Sequence, residues 1–591
     1  MIEKYYEEEL RYLYESGRQF AKAHPDQARF LNIDAVGDRD PYVERLFEGF
    51  AFLAARIREK LDDSFPELSE GLVDLLWPHL QQEIPSVAMV EFKPRSGYLS
   101  ETKVLPRGTE LLSRPVGPDN AICTFTTTQE VPLNPLSLAA VEKKVDTKGK
   151  GTITFRFRIE PGVSWPKVRF EPLRLCLHAE MPVAMTLHEL LTRHVVSSKI
   201  VYDDGGSGKE AVIEGAAIPV TPGGLSPAEA LLPCDSRAYW GYALLLEYFV
   251  YPDKFLFVDL HGLDLEKFKA LESAPHGAPE RLSVSLTLDC DFPRDRPFGT
   301  ENFRLFCSPA VNLFRRTTEP VPTKITENEY LVTADIQRPA SFSTHSVVSV
   351  TGIDRTTGDR FDYEPLHSFK GLQSASHRSY RVQYRRGAGK KRELMLAIGG
   401  RKTSGADPAG EENLSIEAYF TNGALARDEL REGGIAFPGS DFPNAVSFTN
   451  ITRPTLPCQP PADEHRWTFL AHLGATYSSI ASAESLKAFL KLYDWSGSEG
   501  RKRRIEAIKE VSLQPSETLF RGSLIRGVKY TVTIDEAAFA DLSDLHLFGE
   551  VLSGFFSHYV SINSFFDCEL SLRPSGRTLA WESLKGKRWP T

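Results

Sequence analysis

Apolar and polar positions divide the chain into three unlike stretches. Over residues 2–23, Tyr6, Leu10, Leu13, Gly17 and Phe20 recur at steps of four, three, four and three. That is the a/d-type stripe of a helix about two heptads long. Tyr5 and Tyr12 flank it, and His24-Pro25 ends it, because the residue before a proline is disfavoured in the α region. A second helix starts at Asp40-Pro41, a good N-cap residue followed by proline at the first helical position. Val43, Leu46, Phe47, Phe50, Ala54, Ile57 and Leu61 form one face, and Glu44, Arg45, Glu48, Arg58, Glu59 and Asp62 occupy most of the rest. A third helix, from about Pro66, carries Leu68, Leu72, Leu75 and Leu76 and ends near Trp77-Pro78.

From about residue 86 the period changes to two. Ala88, Val90 and Phe92 alternate with Met89, Glu91 and Lys93; Ile153, Phe155, Phe157 and Ile159 repeat the pattern, as do Leu282, Val284, Leu286 and Leu288, and Leu394, Leu396 and Ile398. These are strands packed on one side only, with few helical runs between them, so antiparallel sandwiches or barrels are expected rather than parallel βαβ winding. Residues 203–208, 219–224 and 404–410 are turn-rich loops, and Arg453 to Pro461, with four prolines, reads as a stiff linker. Beyond it, Leu486, Phe489, Leu490 and Tyr493 mark a helix. Val528, Tyr530, Val532 and Ile534 mark a strand, and Leu545, Phe548, Leu552, Phe555 and Tyr559 an amphipathic helix. The expected architecture is a multidomain α+β chain: a helical block over 1–85, β-rich antiparallel domains over 86–290 and 291–452, and an α+β domain over 453–591.

The 591 residues are 41% hydrophobic and 25% charged, which excludes wholesale disorder. Net charge is −9, the wrong sign for gripping nucleic-acid phosphates. It is unevenly spread: residues 1–80 hold 10 Lys and Arg against 17 Asp and Glu, so −7 lies in the helical block. Seven scattered Cys without a C-x-x-C pair give neither a disulfide framework nor a zinc site, and fit a reducing compartment. The N-terminus lacks the layout of a signal peptide. The most apolar window, 239–260, is broken by Glu247, Pro252, Asp253 and Lys254 and is not expected to span a membrane. A cytoplasmic protein is expected.

No catalytic motif emerges. His188 to His194 fails as a zinc helix, because the position four after His188 holds Thr192. His546 and His558, on the last helix, are read as packing or exposed residues. Gly205 to Glu210 resembles a phosphate loop, but Asp203 and Glu210 stand where glycine and a hydroxyl are required. Arg501-Lys502-Arg503-Arg504 and Lys390-Lys391-Arg392 read as solvated loops, since no stacking aromatics interleave with them. No nucleophile elbow occurs, and carboxylate pairs are expected by chance among 79 acidic residues. No catalytic, cofactor-binding or metal-binding residue is assigned.

Several blocks nevertheless form a recognisable series. They are Asp40-Pro41-Tyr42-Val43-Glu44-Arg45-Leu46-Phe47-Glu48-Gly49-Phe50-Ala51-Phe52-Leu53-Ala54-Ala55-Arg56, Leu61-Asp62-Asp63-Ser64-Phe65-Pro66-Glu67-Leu68, Leu75-Leu76-Trp77-Pro78-His79 and Ile84-Pro85-Ser86. Then come Glu247-Tyr248-Phe249-Val250-Tyr251-Pro252-Asp253-Lys254-Phe255-Leu256-Phe257, Pro309-Ala310-Val311-Asn312-Leu313-Phe314, Leu547-Phe548-Gly549-Glu550-Val551-Leu552 and Ser561-Ile562-Asn563-Ser564-Phe565. In order and spread the series resembles the TssF family (ImpG/VasA), baseplate components of bacterial type VI secretion systems related to phage-tail wedge proteins. The resemblance implies a non-enzymatic wedge subunit without cofactors. It implies two copies joined to one TssG through a helical core bundle, contacts with TssK, TssE, the VgrG spike and the sheath, and a place at the inner-membrane complex.

Two readings of the N-terminal helices stay open: they pack on the chain's own β domain, or they bundle with partner helices. In the second, Tyr6, Leu10, Leu13, Phe20, Phe47 and Phe50 form the partner interface. The alternative function is a β-rich carbohydrate-binding or glycoside-active protein with paired carboxylates in a cleft.

Overall fold

Where the apolar period is two, the chain forms strands; where it is three to four, helices. The computed structural model describes residues 2–23, 41–62, 73, 80–160, 162–163, 167–203, 210–216, 218–233, 240–263, 281–324, 327, 329–338, 341–366, 378–386, 392–399, 412–461, 480–520, 523–557, 564–581 and 584–585. The turn-rich segments at 204–208 and 404–410, most of the third helix, Lys390, Lys391, His558 and Tyr559 lie outside them. The chain divides into two units, Met1–Pro78 with Ala462–Leu473, and His79–Pro461 with Gly474–Thr591.

The described part of the first unit is helical: α1 (Ile2–Ala23) and α2 (Pro41–Asp62). Both begin and end within two residues of the punctuation read from the sequence, with His24-Pro25 closing α1 and Pro41 opening α2.

The second unit is built of sheets whose pairing is antiparallel with two exceptions among the described strands. A six-stranded sheet runs Ile435–Pro438, Glu110–Val116, Ala121–Thr127, Cys307–Val311, Val87–Pro94, Val446–Asn450. A five-stranded sheet centres on Arg281–Leu288 between Val195–Asp203 and Gly151–Ile159. A four-stranded sheet holds Leu173–Leu177 and Phe257–Leu260, and an eight-stranded one holds Ser343–Asp354, Arg392–Gly399 and Glu412–Thr421. The strands at 151–159, 281–288 and 392–399 bury alternate residues, as the period of two requires.

Val87–Pro94 departs from that expectation. Its first six residues are buried on both faces. It is an inner strand, flanked by Cys307–Val311 and Val446–Asn450, and Val87 and Met89 join Cys176, Leu231, Tyr251 and Phe257 in a second core on the face expected to meet solvent. The proline-rich stretch departs too. It ends at Pro461, where the chain passes from the second unit to the first as the linker reading expects, but it is laid beside the start of this strand rather than standing clear of the sheet. Ile451 N donates to Met89 O at 2.8 Å, Thr455 N to Val87 O at 2.9 Å, and Ile84 and Cys458 exchange two bonds at 2.8 Å. Prolines suit such an edge, where half the backbone donors have no ladder to join.

The C-terminal sheet pairs Ile508–Phe520 with Ser523–Asp535 antiparallel and Ser523–Asp535 with Ser564–Arg573 parallel. A parallel pair needs a crossover. Helix α7 (Leu542–Ser557) supplies it and packs on α3 (Met181–Arg193), on α4 (Trp240–Val250) and on the strand Ser564–Arg573. Helices α5 (Ala483–Tyr493) and α6 (Glu499–Glu506) complete the layer. Tyr242 of α4 stacks on Tyr493 of α5 with ring centroids 5.6 Å apart, and Phe489 and Phe555 close the same aromatic cluster. The basic run at 501–504 therefore lies on a helix, not in a loop, and Arg504 pairs with buried Asp544 at 2.8 Å. Helix α7, read as amphipathic, is buried nearly all round: Ser543, Asp544, His546, Glu550 and Ser553 are enclosed along with its leucines and phenylalanines.

Candidate partner-binding surface

Helices α1 and α2 pack against each other. Glu9 near the start of α1 accepts from Arg58 Nη1 near the end of α2 at 2.7 Å, while Tyr14 meets Phe47 near the start of α2 with ring centroids 6.1 Å apart. The helices are thus antiparallel. Among the described residues their buried positions are small: Gly17 and Ala21 on α1, Ala51 and Ala55 on α2. Small residues let two helix backbones approach closely, so the seam consumes little of the large apolar surface these helices carry.

That surface faces outward. On α2, Leu46, Phe50, Leu53 and Ile57 are 70%, 61%, 59% and 61% exposed. Their steps of four, three and four put them in one row along the helix. Phe52 and Tyr42 on α2 and Tyr12 on α1 are exposed as well. An Arg45–Glu48 ion pair at 2.8 Å lies beside the row. Of the six residues assigned to a partner interface, Phe50 and Phe20 are exposed, and Tyr6, Leu10, Leu13 and Phe47 are half-buried. The apolar face read from the sequence merged two rows: Phe47 and Ala54 turn partly inward, while Leu46, Phe50 and Ile57 turn out. Leu53 was missed, although its spacing from Phe50 and Ile57 is the same three-four signal used to draw the stripe on α1. The side chains of Val43 and Leu61 lie outside the described residues.

The second unit holds titratable groups close together. His194 Nδ1 lies 2.6 Å from Asp289 Oδ1, with Cys290 adjacent, a set that on paper contains nucleophile, base and orienter. The thiol is the wrong protonation state for attack: burial, then the Asp289 carboxylate, push Cys290 up to about 11. The buried carboxylates that a glycosidase would need are mostly engaged as ion-pair partners. Asp259 pairs with Arg174, Glu247 with Lys254, Glu412 with Arg378 and Asp544 with Arg504. Such groups hold strands and helices together.

The chain is similar over nearly its whole length to proteins already characterised. The sequence pattern described as "Type VI secretion system, TssF" matches residues 1–588. The type VI secretion system component TssF1 of Pseudomonas aeruginosa PAO1 is 28% identical over 632 aligned positions, spanning 99% of this chain and 98% of the relative. A chain of the TssK-TssF-TssG baseplate subcomplex of the type VI secretion system, seen by cryo-electron microscopy, superposes with a TM-score of 0.75 at 32% identity, covering 93% of this chain and 100% of its own. A chain of the baseplate complex from the type VI secretion system superposes with a TM-score of 0.62 at 29% identity, with all of both chains covered.

Proposed function

The chain belongs to the TssF family of type VI secretion systems, and from that premise we propose that it joins its partners in the baseplate through the outward row of α2. The protein is a baseplate component of that secretion system. The observation that carries the docking mode is the row Leu46, Phe50, Leu53, Ile57. Large apolar side chains at heptad-like spacing, held on a helix whose other face is already packed, are what a partner helix covers in knobs-into-holes fashion. Covering them recovers roughly 25 cal/mol for each Å² removed from water.

The occupant is a helix of a TssG-type protein, together with the same region of a second copy of this chain. A solved relative in a TssK-TssF-TssG subcomplex supports TssG and TssK as neighbours. Contacts with a TssE-type protein, the VgrG spike and the sheath belong to the same proposal, as does docking on the cytoplasmic side at the inner-membrane complex. Among the described residues no helix is long and apolar enough to cross a membrane. The role is structural, with no catalysis; the raised thiol of Cys290 and the ion-paired acids support that reading.

Co-expression with a TssG-type protein, followed by size-exclusion chromatography with light scattering, tests it. The expected result is a stable complex of two copies to one. A well-behaved monomer that never co-elutes with such a partner would sink the proposal.

A further inference from the structure

Helices α3 and α7 meet along faces that carry more nitrogen and oxygen than their packing needs. His546 and Glu550 stand four apart on α7, one above the other on one side of the helix. Opposite them, on α3, stands His188. One donor atom from each of the three lies within 4.8 Å of the other two. His188 Nε2 is 3.6 Å from Glu550 Oε2, and the two imidazole centroids are 6.0 Å apart. The side chains are sealed from solvent, His188 at 0%, His546 at 2% and Glu550 at 6% exposure.

The polar atoms are not consumed by hydrogen bonds. Neither ring nitrogen of His188 has a hydrogen-bond partner, nor does His546 Nδ1. The tautomer of His546 follows from its neighbour. Thr192 Oγ1 donates to the His188 carbonyl at 2.7 Å, so it faces His546 Nε2, 3.1 Å away, as an acceptor. Nε2 then carries the hydrogen and Nδ1 the free lone pair. Leaving such atoms buried and unpaired is destabilising, and an apolar residue at 188 would avoid that cost. An imidazole with bare lone pairs beside a carboxyl is what a metal ion uses.

We infer that His188, His546 and Glu550 form a binding site for one divalent transition-metal ion, zinc(II) being the ion this donor set suits, and that the ion clasps α3 to α7. Two imidazoles and one carboxylate are a common zinc set, and bonds of about 2.0–2.1 Å place tetrahedral donors about 3.3 Å apart. The His188–Glu550 separation of 3.6 Å is near that edge length, and side-chain rotation closes the rest. The Thr192 hydroxyl, hydrogen-bonded to His546, orients that ring as an outer-shell partner does. A site here ties the middle of the chain to its C-terminal domain across more than 350 residues, as the Thr192–His546 contact already does.

The test uses the full chain, stripped with a chelator and dialysed. Cobalt(II) is titrated in and followed by its visible d–d absorption, then displaced with zinc(II). The expected result is one equivalent of cobalt per chain with a tetrahedral or five-coordinate spectrum, abolished by zinc. His188→Gln and His546→Gln should each weaken uptake at least tenfold, while His194→Gln, in the separate His194–Asp289–Cys290 group, should leave it unchanged. If the histidine variants misfold by circular dichroism, Glu550→Gln decides: zinc should raise the melting temperature of the wild type and not that of Glu550→Gln. Absence of a cobalt spectrum in a natively folded wild type overturns the site. So does equal uptake by wild type and the folded variants, or loss confined to His194→Gln.

Discussion

The Arg174 guanidinium grips Asp259 in a two-point fork, Nε donating to Oδ1 at 2.7 Å and Nη2 to Oδ2 at 2.6 Å. The two residues face each other across the Leu173–Leu177 and Phe257–Leu260 strands. Nη1 donates to Gln129 at 3.0 Å and to Glu229. Both acids hold the guanidinium firmly charged despite its burial.

Replacing Arg174 with Ala leaves Asp259 and Glu229 facing each other with no cation. The expected cost is about 3 kcal/mol, the lower end for a broken buried pair because the arginine is partly open to solvent. Thermal unfolding read by calorimetry should show a lower transition, and Arg174→Ala, Asp259→Ala together should lose less than the sum of the single changes. Additive losses would mean the fork contributes nothing as a unit.

On α2, Phe50→Asp with Leu53→Asp should abolish co-elution with a TssG-type partner while leaving the melting temperature within about a degree, because both side chains are exposed in the isolated chain. Leu10→Asp with Leu13→Asp, at half-buried positions, should weaken assembly and also loosen the hairpin, with the sheets of the second unit still folded by circular dichroism. Undiminished assembly of the Phe50 and Leu53 variant would exclude the outward row as the docking face.

His345 gives a pH dependence. Its Nε2 donates to the Glu83 carbonyl at 3.0 Å, and burial holds its pKa below the usual 6.5. In the unfolded chain it regains a value near 6.5. Its contribution is therefore complete above about pH 6.5 and is lost as pH falls through the folded value, since the unfolded state takes up the proton first. Melting temperature should drop as pH falls below about 6.5, and His345→Gln should flatten that slope. Parallel slopes in the two proteins would assign the acid sensitivity to other groups.

Gly549 lies under the indole of Trp581. A Cβ there would stand 2.1 Å from the ring and 2.7 Å from Leu570. Gly549→Ala should cost about 1–3 kcal/mol through forced repacking, seen as a lower melting temperature, and Trp581→Leu should relieve part of it.

The helices and strands were legible because their periods are set locally. His24-Pro25 and Asp40-Pro41 bound α1 and α2, and the alternation at 151–159 and 281–288 gives half-buried strands whatever they pair with. The row on α2 was half legible. Phe50 was named, but the face drawn around it could not separate inward from outward rows, since only the packing of Ala51 and Ala55 on α1 fixes the helix rotation.

By itself, the sequence determined the element types, the acidic helical start, the antiparallel middle and, through its ordered blocks, the family. Partnership between distant segments was left to the tertiary structure. Val87–Pro94 looked half-solvated until its neighbours proved to come from 307–311 and 446–450. His188 failed as one end of a zinc helix because a motif counts along one helix. Folding placed it opposite His546 and Glu550, more than 350 residues away, and no spacing rule reaches that far. Local pattern is written in nearest-neighbour sterics and the hydrophobic period; which polar faces meet is decided only when the sheets close.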